Sequence, residues 1–205
     1  MARVGILGGT FNPPHIGHLA CAQAALAQLG LDRLLLMPVA APPHKHAADD
    51  PGLEHRVAMC CLAAGGDERI EVSELETARG GSSYTVDTLR TLHDADPQDE
   101  LTFVAGGDMA ASLPDWRAPD EVLRLARFAV AEREGAGRQE VERALAGMAP
   151  AARERVVFFD MPRVDVSSTA VRQGLAEGRP VRDLVPDAVA RYIDEHALYG
   201  GGSRR

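Results

Sequence analysis

The residues best suited by type and spacing to do chemistry follow a short apolar run at the start of the chain. Gly8 and Gly9 close the run 3–7, and His15 and His18 follow a few positions later. Paired glycines let backbone N–H groups approach a phosphate, and a helix that begins here adds the partial positive charge of its N-terminus. Histidines three positions apart share one helix face, from which both can donate to phosphate oxygens. The spacing predicts a phosphate site, whose negative charge would favour the protonated form of a histidine.

The elements that must position these residues follow from hydrophobic periodicity. The run 3–7 predicts a buried strand, and Asn12 is expected to cap a helix that has Pro13 at its first position and ends at Gly30. Further strands are predicted at 34–39, 70–72, 101–105, 128–131 and 156–159, with helices at 53–64, 85–93, 118–126, 139–148, 168–177 and 186–196. This alternation predicts an α/β fold: a doubly wound, Rossmann-like parallel sheet of five to six strands, helices on both faces and a small C-terminal helical portion.

Length and charge restrict the class of protein. We expect one domain over residues 1–199 and a flexible tail at 200–205, since the chain has 205 residues and ends in a glycine-rich stretch. Lysine and arginine number 22 against 30 acidic residues, and the net charge of −8 argues against a nucleic-acid-binding protein. No apolar run is long enough to span a membrane, and no signal peptide is visible, so a cytoplasmic location is expected.

Several well-known kinds of site are excluded by spacing. Neither the dinucleotide fingerprint Gly-x-Gly-x-x-Gly nor the P-loop pattern occurs after the first strand, which disfavours a dehydrogenase and a P-loop kinase. Cys21, Cys60 and Cys61 show no metal-binding spacing and are predicted to be small buried residues. We therefore expect no metal ion held by the protein alone.

The segment Gly-Gly-Thr-Phe-Asn-Pro-Pro-His-Ile-Gly-His-Leu at 8–19 resembles the His-x-Gly-His signature of the nucleotidyltransferase superfamily. Further segments at 42–45, 81–89, 103–108, 166–172 and 185–187 occur in the order found in bacterial nicotinate-nucleotide adenylyltransferases, and the chain resembles this family over nearly its whole length. The resemblance implies adenylyl transfer from ATP to nicotinate mononucleotide, giving deamido-NAD and pyrophosphate. It also implies Mg²⁺ carried mainly by the ATP phosphates and no nucleic-acid or membrane partner, and it leaves a homo-oligomer open.

The resemblance also implies a role for individual residues. It assigns catalysis to His15, His18, Lys45 and Arg172. It assigns ATP binding to Gly8, Gly9, Thr10, Phe11, Gly106, Asp108, Ser167, Ser168 and Thr169. It assigns nicotinate mononucleotide to Ser83, Tyr84, Thr85, Asp87, Trp116 and Arg133, with Trp116 stacking on the pyridine ring.

Three positions depart from the family pattern. Asn12 replaces a frequent aspartate, Glu134 follows Arg133 where proline is usual, and Arg117 follows Trp116 where an aromatic residue is common. Other functions therefore remain open: an adenylyltransferase for nicotinamide mononucleotide or 4′-phosphopantetheine, or a nucleotide-binding regulator without catalysis.

Overall fold

The computed structural model describes residues 1–40, 49–79, 83–132 and 137–200. Within these ranges the strands are β1 (Arg3–Gly9), β2 (Arg33–Pro38), β3 (Ile70–Val72), β4 (Glu100–Gly106), β5 (Ala126–Glu132) and β6 (Val156–Asp160). They form one sheet in the order β3-β2-β1-β4-β5-β6, and every neighbouring pair is parallel. The predicted α/β class and parallel sheet are confirmed.

The helices follow the predicted alternation, with three additions. They are α1 (Ile16–Gln28), α2 (Leu53–Ala64), α3 (Leu75–Arg79), α4 (Thr85–Ala95), α5 (Gly107–Ala111), α6 (Pro119–Leu125), α7 (Arg138–Ala144), α8 (Pro150–Arg153), α9 (Ser168–Ala176) and α10 (Asp187–Glu195). The additions are α3, α5 and α8, which have five residues or fewer. One turn of helix is too short for an apolar repeat to appear in the sequence.

The sheet is covered on both faces, as its apolar strands require. On β1, Val4 and Ile6 belong to one buried cluster, which receives side chains from α4, α6 and α7. Leu7 points to the opposite face and belongs to a second cluster, which is built with α1 and α2. The doubly wound arrangement that the sequence predicts is therefore confirmed.

The C-terminal helices form a third buried cluster beside α2. Val171 of α9 and Val189 and Ile193 of α10 pack there with Met59 of α2. This is the predicted small helical portion. Residues 201–205 of the predicted tail lie outside the described residues. None of the helices in the described ranges combines the length and apolar character needed to cross a membrane.

The first helix begins later than predicted. His15 is its N-cap and Ile16 its first residue, so Asn12 does not cap it and Pro13 is not its first position. A residue that precedes proline is disfavoured in the helical conformation, and Pro14 therefore keeps Pro13 out of the helix. The Asn12–Pro13 peptide bond is cis. The predicted end is confirmed, because Gly30 follows the helix with a φ of 62°.

The cysteines are only partly as predicted. Cys21 and Cys60 are buried, but Cys61 is exposed. Consecutive residues of a helix point about 100° apart, so Cys60 and Cys61 cannot both face the core.

Candidate active site

A cleft opens where the order of the strands reverses. The strand β1 pairs with β2 on one side and with β4 on the other, which is the point where open parallel sheets bind ligands. The cleft has a volume of about 890 Å³, within the usual range for small-molecule sites. The predicted site residues that line it are Gly8, Gly9, Thr10, Phe11, His15, His18, Gly106, Asp108, Ser167, Ser168, Thr169 and Arg172. The structure thus brings together every described residue that was predicted for catalysis or ATP binding.

The two histidines at the start of α1, His15 at the N-cap and His18 in the first turn, are held against each other. The backbone N–H of His15 donates to Nδ1 of His18 across 3.1 Å. The two rings are stacked with centroids 3.6 Å apart, and the ring of Phe11 meets His18 edge-on at 4.9 Å. Phe11 is buried and has a φ of 49°, in the left-handed region that side chains rarely adopt. Both imidazoles are therefore oriented by contacts within the loop before any ligand binds.

His18 is neutral in the structure. Burial of the ring, and secondarily the neighbouring His15, lower the pKa of His18 from 6.5 to about 3. Because Nδ1 accepts a hydrogen bond from the main chain, the ring proton must be on Nε2. His18 therefore offers one N–H donor of fixed tautomer. It therefore lacks the positive charge that a phosphate site was expected to favour.

Gly17 lets the two histidines lie so close. A Cβ atom at this position would be 3.0 Å from Cγ1 of Val166 and 3.1 Å from Nδ1 of His15. Both distances are tighter than ordinary carbon contacts, so a side chain would push the His15 ring or Val166 away. The glycine between the two histidines of the motif is explained by this close approach.

The end of β4 forms the opposite wall of the cleft. Gly106 is the last residue of β4, and Gly107 and Asp108 begin α5. A Cβ atom at either glycine would meet nothing within 4 Å, so their backbone borders open space that a ligand can approach. Asp108 is exposed there, where its carboxylate is accessible to a ribose hydroxyl or to a hydrated cation.

The start of α9 contributes polar groups, of which some are already engaged. Ser167 is the N-cap, and its hydroxyl accepts from Ala170 N–H at 3.1 Å. The Ser168 hydroxyl donates to the carbonyl of Pro13 at 2.9 Å. Thr169 is exposed in the cleft and free of such a bond among the contacts of the described residues. Of the residues predicted to contact phosphate, Ser168 already uses its hydroxyl proton in a hydrogen bond to the loop, whereas the Thr169 hydroxyl remains available to a ligand.

Arg172 also divides its donors between the loop and the cleft. Its Nη1 donates to the carbonyl of Asn12 at 2.8 Å. Its Nε is buried and has no hydrogen-bond partner among the described residues. The guanidinium therefore positions the loop, and Arg172 also lines the cleft, where an anion can approach it.

Arg56 is a buried residue beside the site that sequence reasoning missed. It lies in α2 and is only 1% exposed. Its Nη1 donates to the carbonyls of Thr10 and Val39, both at 2.9 Å, and its Nε pairs with Asp50 at 3.2 Å. One cation therefore joins the loop after β1 to the segment after β2. An arginine within an otherwise apolar helix face is the signal that could have revealed it.

Among the residues that the structure describes, those predicted for the pyridine nucleotide do not line the cleft. Trp116 is half-buried against Phe103 and Phe128, with ring centroids 5.7 Å apart in both pairs, and its Nε1 donates to Ser112. Ser83, Tyr84, Thr85 and Asp87 lie at the start of α4, where Tyr84 is exposed and is the N-cap. Their assignment to the pyridine nucleotide stays a prediction.

Arg117 joins these residues into one surface. Its guanidinium lies 4.9 Å from the centre of the Tyr84 ring, and its Nη1 pairs with Asp87 at 3.2 Å. Trp116 precedes it directly, so the structure places Trp116 and the start of α4 side by side. Lys45 and Arg133, also predicted for the site, lie outside the described residues.

Comparison with known proteins agrees with this geometry. Residues 6–174 match the model of the cytidylyltransferase-like family. A probable nicotinate-nucleotide adenylyltransferase of Roseiflexus sp. (strain RS-1) is 46% identical over 97% of this chain and 98% of its own length. One of Shouchella clausii (strain KSM-K16) is 40% identical over 98% of both chains. The chain belongs to the nicotinate-nucleotide adenylyltransferase family.

The solved structures extend the match to the fold of this family. The structure of Plasmodium falciparum nicotinic acid mononucleotide adenylyltransferase complexed with NaAD superposes with a TM-score of 0.75. The superposition covers 98% of this chain and 99% of that one at 16% identity. At that identity the likeness is evidence for the fold alone. The membership of the family follows from the relatives at 46% and 40% identity.

The departures from the family pattern have different structural settings. Asn12, at the position of a frequent aspartate, is buried and accepts a hydrogen bond from Tyr199. Arg117 replaces an aromatic residue beside Trp116 and instead presents a guanidinium to Tyr84. Glu134 lies outside the described residues. Arg117 thus gives this nicotinate-nucleotide adenylyltransferase a charged group beside its tryptophan.

Proposed function

We propose that the protein transfers the adenylyl group of ATP to nicotinate mononucleotide, forming deamido-NAD and releasing pyrophosphate in NAD biosynthesis. The observation that carries this is the cleft at the reversal of strand order, where the His15–His18 pair faces the start of α9. Membership of the nicotinate-nucleotide adenylyltransferase family supports the same reaction.

The reaction asks for positioning and charge stabilisation more than for a base. The phosphate of the mononucleotide is already an anion near pH 7, and it attacks the α-phosphorus of ATP in line with the departing pyrophosphate. In such a transfer most of the catalysis comes from alignment and from groups that stabilise the transferring phosphoryl oxygens. The Nε2–H of His18, the guanidinium of Arg172 and the N–H groups of the loop are suited to this task.

His18 acts in this scheme as a neutral donor. A neutral imidazole with its proton on Nε2 can donate to an α-phosphate oxygen and does not lose that proton at physiological pH. Its orientation by His15 means that little reorganisation is needed during the reaction. Lys45, which follows β2 in the sequence, is proposed to add a positive charge at the phosphates.

Magnesium fits the donor set as an ion carried by the substrate. Within the described ranges, no group of three or more His, Cys, Asp or Glu side chains is placed to hold a metal ion. The exposed Asp108 is suited to hold a hydrated Mg²⁺ that the ATP phosphates bring with them. When bound, the ion would neutralise charge on the phosphates.

The acceptor is proposed to bind at the start of α4. The N–H groups of Tyr84 and Thr85 can receive a carboxylate at the positive end of that helix, and Trp116 can cover one face of the pyridine ring. An acidic group would be favoured over a carboxamide by the helix dipole. The proposal therefore includes a preference for nicotinate over nicotinamide mononucleotide.

A pyrophosphate-release assay with a panel of acceptors tests the function. ATP and Mg²⁺ are supplied with nicotinate mononucleotide, nicotinamide mononucleotide or 4′-phosphopantetheine in turn. We expect the fastest release with nicotinate mononucleotide. Faster release with either other acceptor would identify a different adenylyltransferase. Tight ATP binding without product from any acceptor would indicate a regulator.

Three further expectations remain predictions: a cytoplasmic location, a single domain over residues 1–199 and the open question of a homo-oligomer. Size-exclusion chromatography with light scattering measures the last of these directly.

A further inference from the structure

The loop between β1 and α1, residues 10–15, is hydrogen-bonded to the C-terminal helical portion. Arg172 Nη1 donates to the carbonyl of Asn12, and Ser168 Oγ donates to the carbonyl of Pro13. Both donors come from α9, which is more than 150 residues further along the chain. The loop that precedes the two histidines is thus held in place by side chains from the C-terminal part of the chain.

A third contact reaches the side chain of Asn12 and comes from outside the predicted site. The hydroxyl of Tyr199 donates to Oδ1 of Asn12 across 2.6 Å, between residues 187 positions apart. Asn12 is 3% exposed, so this bond forms away from competing water. Because Oδ1 is the acceptor, the Nδ2 group is left as a buried donor without a partner among the described residues.

The backbone near Tyr199 supports a role beyond filling space. Tyr199 has a φ of 58°, and Ala197, two residues earlier, has a φ of 50°. Residues with side chains adopt such angles only where surrounding contacts compensate the cost. Leu198 between them is buried in the C-terminal cluster, which leaves the tyrosine turned toward the loop. Burial raises the pKa of Tyr199, so its hydroxyl keeps the proton that it donates.

We propose that Tyr199 is a positioning residue for adenylyl transfer. It holds Asn12, and thereby the loop between β1 and α1, in the conformation that receives the triphosphate. This inference rests on the proposed function, since it assigns the loop to ATP. Tyr199 acts through Asn12 and does not itself touch the reacting atoms. Loss of its hydroxyl should therefore weaken ATP binding and slow the reaction, with no change in the affinity for the acceptor.

The chain offers a matched control for removing this hydroxyl. Tyr192 in α10 also has a partly buried hydroxyl, and its partner is Nδ1 of His55, outside the cleft. Tyr199→Phe and Tyr192→Phe each delete one oxygen from the same C-terminal cluster. We expect only Tyr199→Phe to reduce kcat and the affinity for ATP, by about threefold to tenfold, the range typical of one hydrogen bond. Melting temperatures of the two variants should be similar.

A double-mutant cycle tests the route through Asn12. In an Asn12→Ala background, Tyr199→Phe should have no further effect, because the acceptor is already absent. In an Asn12→Asp background the acceptor oxygen remains, and Tyr199→Phe should again lower the affinity for ATP. Affinity is measured by calorimetry with an ATP analogue that has a methylene bridge between the α- and β-phosphorus, so that no acceptor is needed.

Each outcome decides the proposal. ATP affinity and kcat of Tyr199→Phe within twofold of the wild type would overturn it. So would an equally large fall in ATP affinity when Tyr199→Phe is added to the Asn12→Ala variant. A raised KM for nicotinate mononucleotide at unchanged ATP affinity would also overturn it. If the wild type makes no product from nicotinate mononucleotide, the proposed function fails. The calorimetric cycle still tests Tyr199 in that case, because it measures ATP binding alone.

Discussion

The main-chain N–H of His15 donates to Nδ1 of His18, and the two imidazole rings lie stacked 3.6 Å apart. This pair settles which nitrogen of His18 faces a ligand. A histidine that accepts on Nδ1 donates on Nε2, and here the donor is fixed before the substrate arrives. The motif therefore contains an oriented donor, and we propose that its two histidines have different roles: His15 orients the ring of His18, and His18 donates to the ligand.

Replacing His18 by alanine should abolish most of the activity and leave the fold intact. The variant loses one preorganised donor at the transferring phosphate, and we expect kcat to fall by roughly 10²- to 10³-fold. Steady-state pyrophosphate release measures the rate, and circular dichroism checks the fold. His93→Ala, on α4 and outside the cleft, is the control and should retain its rate. A rate near that of the wild type for His18→Ala would remove the assignment.

Stability should fall on mild acidification because of His18. The unfolded histidine takes up a proton below about pH 6.5, whereas the folded one stays neutral down to about pH 3. The unfolded state then binds more protons, so the free energy of unfolding decreases as the pH falls through this window, by up to about 1.4 kcal/mol per pH unit. Urea denaturation between pH 7.5 and 5 measures the slope. The slope should be smaller in His18→Gln, and parallel curves for the two proteins would contradict a neutral His18 ring in the folded state.

Removing the guanidinium of Arg56 should destabilise the protein far more than removing a surface arginine. Arg56→Met leaves the carbonyls of Thr10 and Val39 without their buried donor, and we expect a loss of about 3 kcal/mol in the free energy of unfolding. Arg69→Met breaks an exposed pair with Asp67 and should change it by less than about 1 kcal/mol. Urea denaturation of both variants makes the comparison. Equal losses would mean that Arg56 does not hold the loop.

The fluorescence of Trp116 should report binding of the acceptor. It is the only tryptophan of the chain, so emission excited selectively at the indole comes from one side chain. A pyridine ring that stacks on the exposed part of the indole should quench this emission in proportion to bound nicotinate mononucleotide. Titration in the absence of ATP measures the effect, and ribose 5-phosphate serves as the ligand without a ring. Equal responses to both ligands would leave Trp116 as a core residue that packs on Phe103 and Phe128.

The sequence predicted the sheet and most helices because their residues are buried in regular patterns. The bounds of α2 and β3 agree with the predicted residues, since an apolar repeat marks each one. The start of α1 was predicted too early, because a proline at the first helical position is a common signal and the effect of Pro14 on Pro13 outweighs it.

The candidate site was predictable where its residues form a continuous motif. The segments at 8–18, 106–108 and 167–172 each contribute residues to the lining of the cleft. Arg56 and Tyr199 were missed because their partners are 46 and 187 positions away, and no local pattern marks such a contact. The contacts of Arg117 beside Trp116 were not predicted, because the sequence departs there from the family pattern.

The placement of β1 has a consequence for synthesis on the ribosome. Residues 3–18 emerge first, yet their strand neighbour β4 begins at Glu100, and their fastenings come from Ser168, Arg172 and Tyr199. A nascent chain that has passed the first hundred residues therefore carries the whole histidine motif in an unfinished setting. The hydrogen bonds that hold the motif are complete only once the chain reaches Tyr199, so we expect a truncated chain to bind nucleotide weakly.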